Sequence, residues 1–320
     1  MPLRRILITG GTGFVGAHLI RFLKSRPSKI IVLSSGDGES LREAGVEYFH
    51  VDIRSGDEVR SVVREAKPDQ IYHLAGISAV DVSWNNLRLA FEVNVVGAFN
   101  LFEGAMSLPS PPRILNVSTS QVYARSARPL TEASPLDPEN PYSASKAMVE
   151  LLLVQYRNCS KGGIVTARSF NHTGPGQPPN FVLPSLAKQF AEIEAGLHTP
   201  KLKVGDLSVK RDFTDVRDVV RAYCELLDKG KLGEVYNVCS GRVVLIADVV
   251  KEFQRLCHVQ VTTEVDPARL RQSEVAQMVG DSTKIRTETG WRPSISLGRT
   301  IQDLLDYWRG STRRTLGTLT

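Results

Sequence analysis

Apolar and polar positions in this 320-residue chain follow two rhythms in turn. An apolar run at 6–8 breaks into Gly10, Gly13 and Gly16, then resumes at helical spacing with Val15, Leu19, Ile20 and Leu23. That pattern predicts a strand, a tight turn and a helix. Short apolar runs predict further strands at 29–33, 48–51, 71–76 and 113–117, with a sixth closing at Arg168. Helical patterns at 57–67, at 87–106 and from Tyr142 through 148–154 lie between them. Asparagine is a poor mid-helix residue, so Asn94, inside the 87–106 helix, is expected to hydrogen-bond something specific. Pro109, Pro111 and Pro112 stop that helix. Regular alternation of strand and helix predicts an α/β fold with a doubly wound parallel sheet.

Beyond Asn171 the rhythm loosens around Pro175, Pro178, Pro179 and Pro184, so the chain is expected to leave the sheet for a smaller C-terminal α/β lobe. It returns through a helix at 216–228 and a strand at 234–238, and a helix at 246–257 and the stretch 291–308 complete the lobe. The expected division is a dinucleotide-binding domain at 1–170 with a return segment at about 212–240. Residues 171–211 and 241–310 form the substrate lobe. From Arg309 onward no apolar period is visible, and 311–320 is expected to be a mobile tail.

Composition narrows the function. No apolar run reaches 18 residues and no signal-type segment precedes the first strand, so a soluble, cytoplasmic protein without membrane contact is expected. Four scattered cysteines without CxxC spacing argue against a metal site or a disulfide framework. The net charge of +6 is spread out and aromatics do not interleave with basic clusters, which disfavours nucleic acid and favours a small anionic ligand.

The glycine turn gives that ligand a place. Without Cβ atoms, Gly10, Gly13 and Gly16 let a pyrophosphate approach the backbone. The N–H groups of Thr12, Phe14 and Val15 lie at the start of the following helix. The sheet is therefore Rossmann-type and the expected cofactor is NADP or NAD. After the second strand, Ser34 and Ser35 stand where a carboxylate would repel a 2′-phosphate, and Asp37 comes a few residues late, so either form is expected to bind. Asp52 and Ile53 are placed to meet adenine, although Asp52 as a cap for the next helix is an equal alternative. Leu74, Ala75 and Gly76 let backbone approach the cofactor, whereas His73 suits a satisfied core histidine.

The chemistry belongs beyond the carboxyl end of the fifth strand, where Ser118, Thr119 and Gln121 form a polar cluster. Tyr142 and Lys146, four residues apart at the start of a helix, share one face. An ammonium beside a phenol favours the phenolate, which suits proton transfer near neutral pH.

Gly10-x-x-Gly13-x-x-Gly16, Ser118-Thr119 and Tyr142-x-x-x-Lys146 together resemble the extended short-chain dehydrogenase/reductases, in their nucleotide-sugar epimerase and dehydratase branch. Arg168 to Gln177 closes the sixth strand, Lys203 to Asp218 resembles the family's substrate-domain return, and Asp266 to Glu274, the most specific segment, resembles GDP-mannose 4,6-dehydratases and, more closely, the GDP-6-deoxy-4-keto-mannose reductases. The resemblance implies hydride transfer at sugar C4. Tyr142 would move the proton, Lys146 would hold the nicotinamide ribose, and Ser118 or Thr119 would bond the carbonyl. It further implies that Asn94 and His172 lie on the cofactor side and that Asn171 touches both cofactor and sugar. Gln121, Lys188, Lys203, Arg211 and Arg271 would contact the GDP-sugar, and Glu274 the nucleoside ribose. Lys188 as a solvated helix residue, and Arg211 as a partner of Asp212 or Asp215, are the bland alternatives. Dehydratases of this kind need a carboxylate at the position of Gln121. Its amide here implies reduction of a 4-keto-6-deoxy sugar to a product such as GDP-D-rhamnose. The helices after strands four and five are expected to pair in a homodimer.

Overall fold

A computed structural model describes residues 3–36, 43–156, 163–270 and 277–317. Six parallel strands of the main sheet are β1 Arg4–Thr9, β2 Ser28–Ser34, β3 Glu47–His50, β4 Gln70–His73, β5 Arg113–Thr119 and β6 Gly163–Ser169. Strands β7 Asn171–Thr173, β8 Lys201–Val204, β9 Lys210–Arg211 and β10 Phe213–Asp215 leave it, and β11 Val235–Val238 returns as its seventh member. Three more, β12 Val244–Leu245, β13 Thr262–Val265 and β14 Gln277–Met278, belong to small separate sheets.

The strand order is β11-β6-β5-β4-β1-β2-β3, with every pair parallel. Both faces are covered by helices, which is why these strands are apolar almost throughout rather than alternating. Successive side chains still point to opposite faces. Ile6 and Ile8 pack with Leu19, Leu115 and Tyr223 on the side of α1 (Phe14–Leu23), while Leu7 packs with Val63, Leu101 and Ile114 on the side of α2 (Gly56–Ala66). The chain reverses its direction of travel across the sheet between β1 and β4. That switch point opens a crevice at the carboxyl ends of the strands, where such sheets bind ligands.

Helices α3 Val80–Asn85, α4 Leu87–Phe91 and α5 Gly97–Met106 follow β4. The expected 87–106 helix is present but carries a π-turn at Glu92–Val96, centred on Asn94. Helix α6, Pro141–Leu153, starts seven residues earlier than its apolar pattern at 148–154. Asn140 caps it by accepting from Ser143 N at 2.9 Å, and Ser143 Oγ accepts from Asn140 N at 3.2 Å.

The remaining helices are α7 Val182–Glu194, α8 Val216–Lys229, α9 Ile246–Leu256, α10 Thr283–Thr289 and α11 Leu297–Gly317. A third core joins Phe190 of α7, Leu202 of β8, Phe253 of α9 and Leu304 of α11 in the smaller lobe. The expected mobile tail is corrected here: α11 continues to Gly317. Arg309 donates to both oxygens of Glu194 at 2.7 Å, and Thr312 is buried. Both residues continue the face carrying Ile301, Leu305 and Trp308, but through polar side chains that an apolar count does not register. Among the described residues no helix is long and apolar enough to cross a membrane.

Candidate active site

The glycine turn forms the floor of the crevice. Gly10 has φ +69°, and a Cβ on it would lie 2.8 Å from Ala75 N. A Cβ on Gly16 would lie 2.5 Å from the Gly10 carbonyl oxygen, so neither position admits a side chain. Helix α1 begins at Gly13 with no side chain capping its first turn. Its N–H groups are thus left for an anion, and a dinucleotide fits. A cleft of about 360 Å³ continues from Gly10 past Ser34, Ser35, Asp52, Ile53 and Gly76. Thr12 Oγ1 and Ser34 Oγ are 2.7 Å apart, and neither carries a charge.

Asp52 is not the cap of α2, whose N-cap is Ser55. Its carboxylate accepts from Arg54 N at 2.9 Å and forks with the Arg54 guanidinium, which holds its pKa below the usual range. His73 is a core residue, 2.8 Å from Thr9 Oγ1, and burial pushes its pKa down to about 3. The Thr9 hydroxyl also accepts from Ala75 N at 3.2 Å, fixing the strand exit that carries Leu74 to Gly76. Asn94 grips the next step of that exit. Its Oδ1 accepts from Ile77 N at 2.8 Å, and its Nδ2 donates to Ile77 O at 3.1 Å and to Ser145 Oγ at 2.9 Å.

At the end of β5 the two hydroxyls separate. Thr119 bonds the Tyr142 phenol and accepts from Gln121 N at 3.2 Å. Ser118, one residue earlier, points to the opposite face and donates to Glu150 Oε1 at 2.5 Å. Ser118 is therefore withdrawn as a carbonyl ligand. Lys146 Nζ donates to Val117 O at 2.9 Å, and burial lowers its pKa to about 8. The expected lowering of the Tyr142 pKa is not what the structure shows: burial raises it, with the Thr119 hydrogen bond acting the other way. A neutral phenol, a buried cation and a hydroxyl thus converge beside the dinucleotide cleft. That set suits delivery of a proton to an oxygen as its carbon receives hydride.

The family model of GDP-mannose 4,6 dehydratase matches residues 7–304. The chain belongs to that family. GDP-6-deoxy-D-mannose reductase of Pseudomonas aeruginosa is 33% identical over 313 residues, covering 97% of this chain and 99% of its own. GDP-6-deoxy-D-talose 4-dehydrogenase of Aggregatibacter actinomycetemcomitans is 30% identical, covering 89% of this chain and 91% of its own. The solved structure of RMD from Pseudomonas aeruginosa complexed with NADPH superposes with a TM-score of 0.84 at 31% identity, covering 96% of this chain and 99% of that one. The protein is an NAD(P)-dependent oxidoreductase of the extended short-chain dehydrogenase/reductase class, as the glycine turn and the Tyr142–Lys146 pair imply.

The residues expected to contact the sugar meet different fates. Asn171 and His172 sit on β7, and His172 stacks 6.4 Å from the Phe14 ring at the start of α1. This joins β7 to the helix that follows the glycine turn. Arg211 ends β9, with Nη1 donating to Lys210 O at 2.9 Å. The carboxylates suggested as its partners are taken up elsewhere: Asp212 accepts from Ser240, Gly241 and Gly280, and Asp215 from Arg217 and Thr300. Lys188 lies over the Trp308 ring at 5.7 Å and 3.7 Å from Glu192, the helix-surface arrangement. Lys203 has its N–H bound to Gln189 Oε1 at 2.9 Å and its side chain exposed. Arg271, Glu274 and Asp37 lie outside the described residues.

Two supporting residues escaped the sequence pattern. Glu150 lies one helical turn beyond Lys146, buried against Arg168 with Nη2 to Oε2 at 2.6 Å. Its i+4 spacing from Lys146 is visible in the sequence, its partner on β6 is not. Asn140 caps α6, and its second contact, Nδ2 to Gln121 Oε1 at 3.1 Å, joins residues nineteen apart and depends on the fold.

Proposed function

We propose that this protein reduces a nucleotide-linked 4-keto-6-deoxy sugar with NADPH or NADH, GDP-4-keto-6-deoxy-D-mannose being converted to GDP-D-rhamnose. The observation that carries the reading is the amide of Gln121, two residues past Thr119 and next to the Thr119–Tyr142 pair. A dehydratase must remove the C5 proton to expel water across C5 and C6, and a glutamine amide has no basic lone pair near neutral pH. Reduction needs no such base. The bound cofactor supplies a hydride to C4. Thr119 bonds the carbonyl oxygen and Tyr142 gives that oxygen its proton, leaving a C4 hydroxyl. Lys146 stabilises the phenolate left behind and holds the nicotinamide ribose. The reductase and the 4-dehydrogenase among the relatives support chemistry at this carbon.

On the cofactor, the uncharged Thr12–Ser34 pair supports acceptance of both NADPH and NADH. Arg211 and Arg271 are assigned to the diphosphate, whose oxygens a guanidinium matches two at a time. Glu274 is assigned to the nucleoside ribose, and Lys188 would first have to leave Glu192 to join them. The exposed apolar residues Trp84, Leu87, Phe91 and Phe99 of the α3–α5 region, with Leu151 and Val154 on and just beyond α6, support a homodimer through these helices.

Purified protein given GDP-4-keto-6-deoxymannose and NADPH is expected to consume cofactor mole for mole, with GDP-rhamnose as product. GDP-mannose alone is expected to stay unconverted. Multiple turnovers on GDP-mannose with no net change in cofactor would overturn the assignment and make the protein a dehydratase with another base.

A further inference from the structure

The amide of Gln121 has a defined orientation, and the reason lies in the helix that carries Tyr142. Asn140 is the N-cap of α6. Its Oδ1 is committed to the Ser143 N–H at 2.9 Å, an acceptor role that an NH₂ group cannot take. The cap therefore fixes which way round the Asn140 amide sits, leaving Nδ2 as the end that meets Gln121 at 3.1 Å. Nδ2 can only donate, so the atom it meets must be Gln121 Oε1. Gln121 Nε2 then carries two N–H donors with no partner among the described residues. Its backbone N–H is tied to Thr119 Oγ1, the hydroxyl that also bonds Tyr142. A helix cap, an amide pair and the proton-transfer pair are thus linked in one chain of contacts.

We propose that Asn140 is a positioning residue that holds the Gln121 amide with its N–H donors toward the substrate, where they select a sugar oxygen next to the reacting carbonyl. This rests on the reductase reading. A donor at this point suits a hydroxyl or ring oxygen and leaves nothing to accept the C5 proton. The residue that cannot act as the dehydratase base thereby acquires a role of its own. A sugar lacking the matching oxygen would leave Nε2 unpaired in the closed site, the arrangement by which polar sites reject analogues most strongly.

The test inverts the amide without removing the cap. In Asn140→Asp the carboxylate still accepts from Ser143 N, and aspartate is as good an N-cap as asparagine. It offers no donor, so Gln121 must turn Nε2 onto it and present Oε1 to the sugar. The KM for GDP-4-keto-6-deoxymannose is expected to rise about tenfold, as for loss of one hydrogen bond to a substrate oxygen. The KM for NADPH and the thermal midpoint should stay near those of the unmodified enzyme. Gln121→Met, which keeps the volume and removes the amide, should raise the same KM by a similar factor. Adding Asn140→Asp to Gln121→Met should then change nothing further, since no amide is left to orient.

Asn140→Ser, a cap with neither Nδ2 nor added charge, frees the amide and should give a smaller rise that also vanishes in the Gln121→Met background. Should Asn140→Asp prove unstable, this variant carries the comparison. Equal rises from the Asn140 variants with and without Gln121 would overturn the inference and reduce Asn140 to a helix cap. Unmodified enzyme that consumes no NADPH with this sugar would overturn the functional reading and the inference with it. Active enzyme with additive losses would overturn the inference alone.

Discussion

Glu150 and Arg168 form the most enclosed ion pair among the described residues, each with a side chain only 6% exposed. Arg168 donates from Nε to both carboxylate oxygens at 3.1 Å and from Nη2 to Oε2 at 2.6 Å. Ser118 adds a fourth bond, Arg168 Nη1 reaches Glu132 O at 3.2 Å, and the guanidinium lies 4.7 Å over the Tyr123 ring. Glu150→Gln keeps the shape and the Ser118 contact but leaves the Arg168 charge buried without a counter-ion. Breaking one partner of such a pair costs about 3–5 kcal/mol, far above the 0–1 kcal/mol of a surface pair. Replacing both partners by apolar residues of similar volume removes the stranded charge, so Glu150→Met with Arg168→Met is expected to cost less than Glu150→Gln alone. Urea titration read by far-UV circular dichroism measures this as a shift of midpoint at unchanged slope. A loss under about 1 kcal/mol for Glu150→Gln, or a double variant worse than the single one, would refute the reasoning and show that water reaches the pair.

Two further outcomes concern catalysis. Lys146, its pKa lowered by burial to about 8, is charged below that pH and neutral above it, while Tyr142, shifted upward, stays protonated through the same range. The kcat/KM for ketone reduction should therefore fall as pH rises through about 8, and a flat profile to pH 10 would separate Lys146 from the proton-transfer step. Arg211→Ala should raise the KM for the GDP-sugar about tenfold, with the KM for NADPH unchanged, as expected for loss of a charged hydrogen bond to phosphate.

The strand–glycine turn–helix geometry and the shared helix of Tyr142 and Lys146 are legible because they are written in local sequence. A strand, three glycines and a helix follow one another within the single stretch Arg4 to Leu23, and Tyr142 and Lys146 are related by one helical turn. Side chains whose orientation depends on distant parts of the chain are not legible in this way. Ser118 and Thr119 are chemically alike neighbours, and only the placement of Glu150 across the β5 face decides which one meets Tyr142. The phenol pKa is raised rather than lowered because the pocket buries Tyr142, while Lys146 spends its ammonium on Val117 O. The end of helix α11 is hidden from an apolar count because Arg309 and Thr312 continue its buried face without being apolar.

Asn94 shows how a locally unfavourable residue can be stationed by the site it serves. The π-turn at Glu92–Val96 departs from the i→i−4 pattern around it, and Asn94, 1% exposed, uses both ends of its amide there. Through Ile77 it holds the exit of β4, and through Ser145 it holds α6 between Tyr142 and Lys146. A Cβ on Gly76 would meet both Asn94 Oδ1, at 3.0 Å, and Lys146 Nζ, at 3.4 Å, so the amide stands within one side chain of the buried cation. Asn94→Ala leaves the N–H and carbonyl of Ile77 without their partner and takes one contact from Ser145, which still donates to Tyr142 O at 2.7 Å. Water can reach the partly buried Ile77 groups, so the cost should be about 2 kcal/mol rather than the sum of three orphaned groups. The freed Ala75–Ile77 segment lines the cleft that runs from the glycine turn, where the cofactor is proposed to bind, whereas Arg211 is not among the residues Asn94 touches. The KM for NADPH should accordingly rise several-fold while that for the GDP-sugar changes little. Stability within about 0.5 kcal/mol of the unmodified protein and an unchanged KM for NADPH would show that the π-turn is set by helix packing alone.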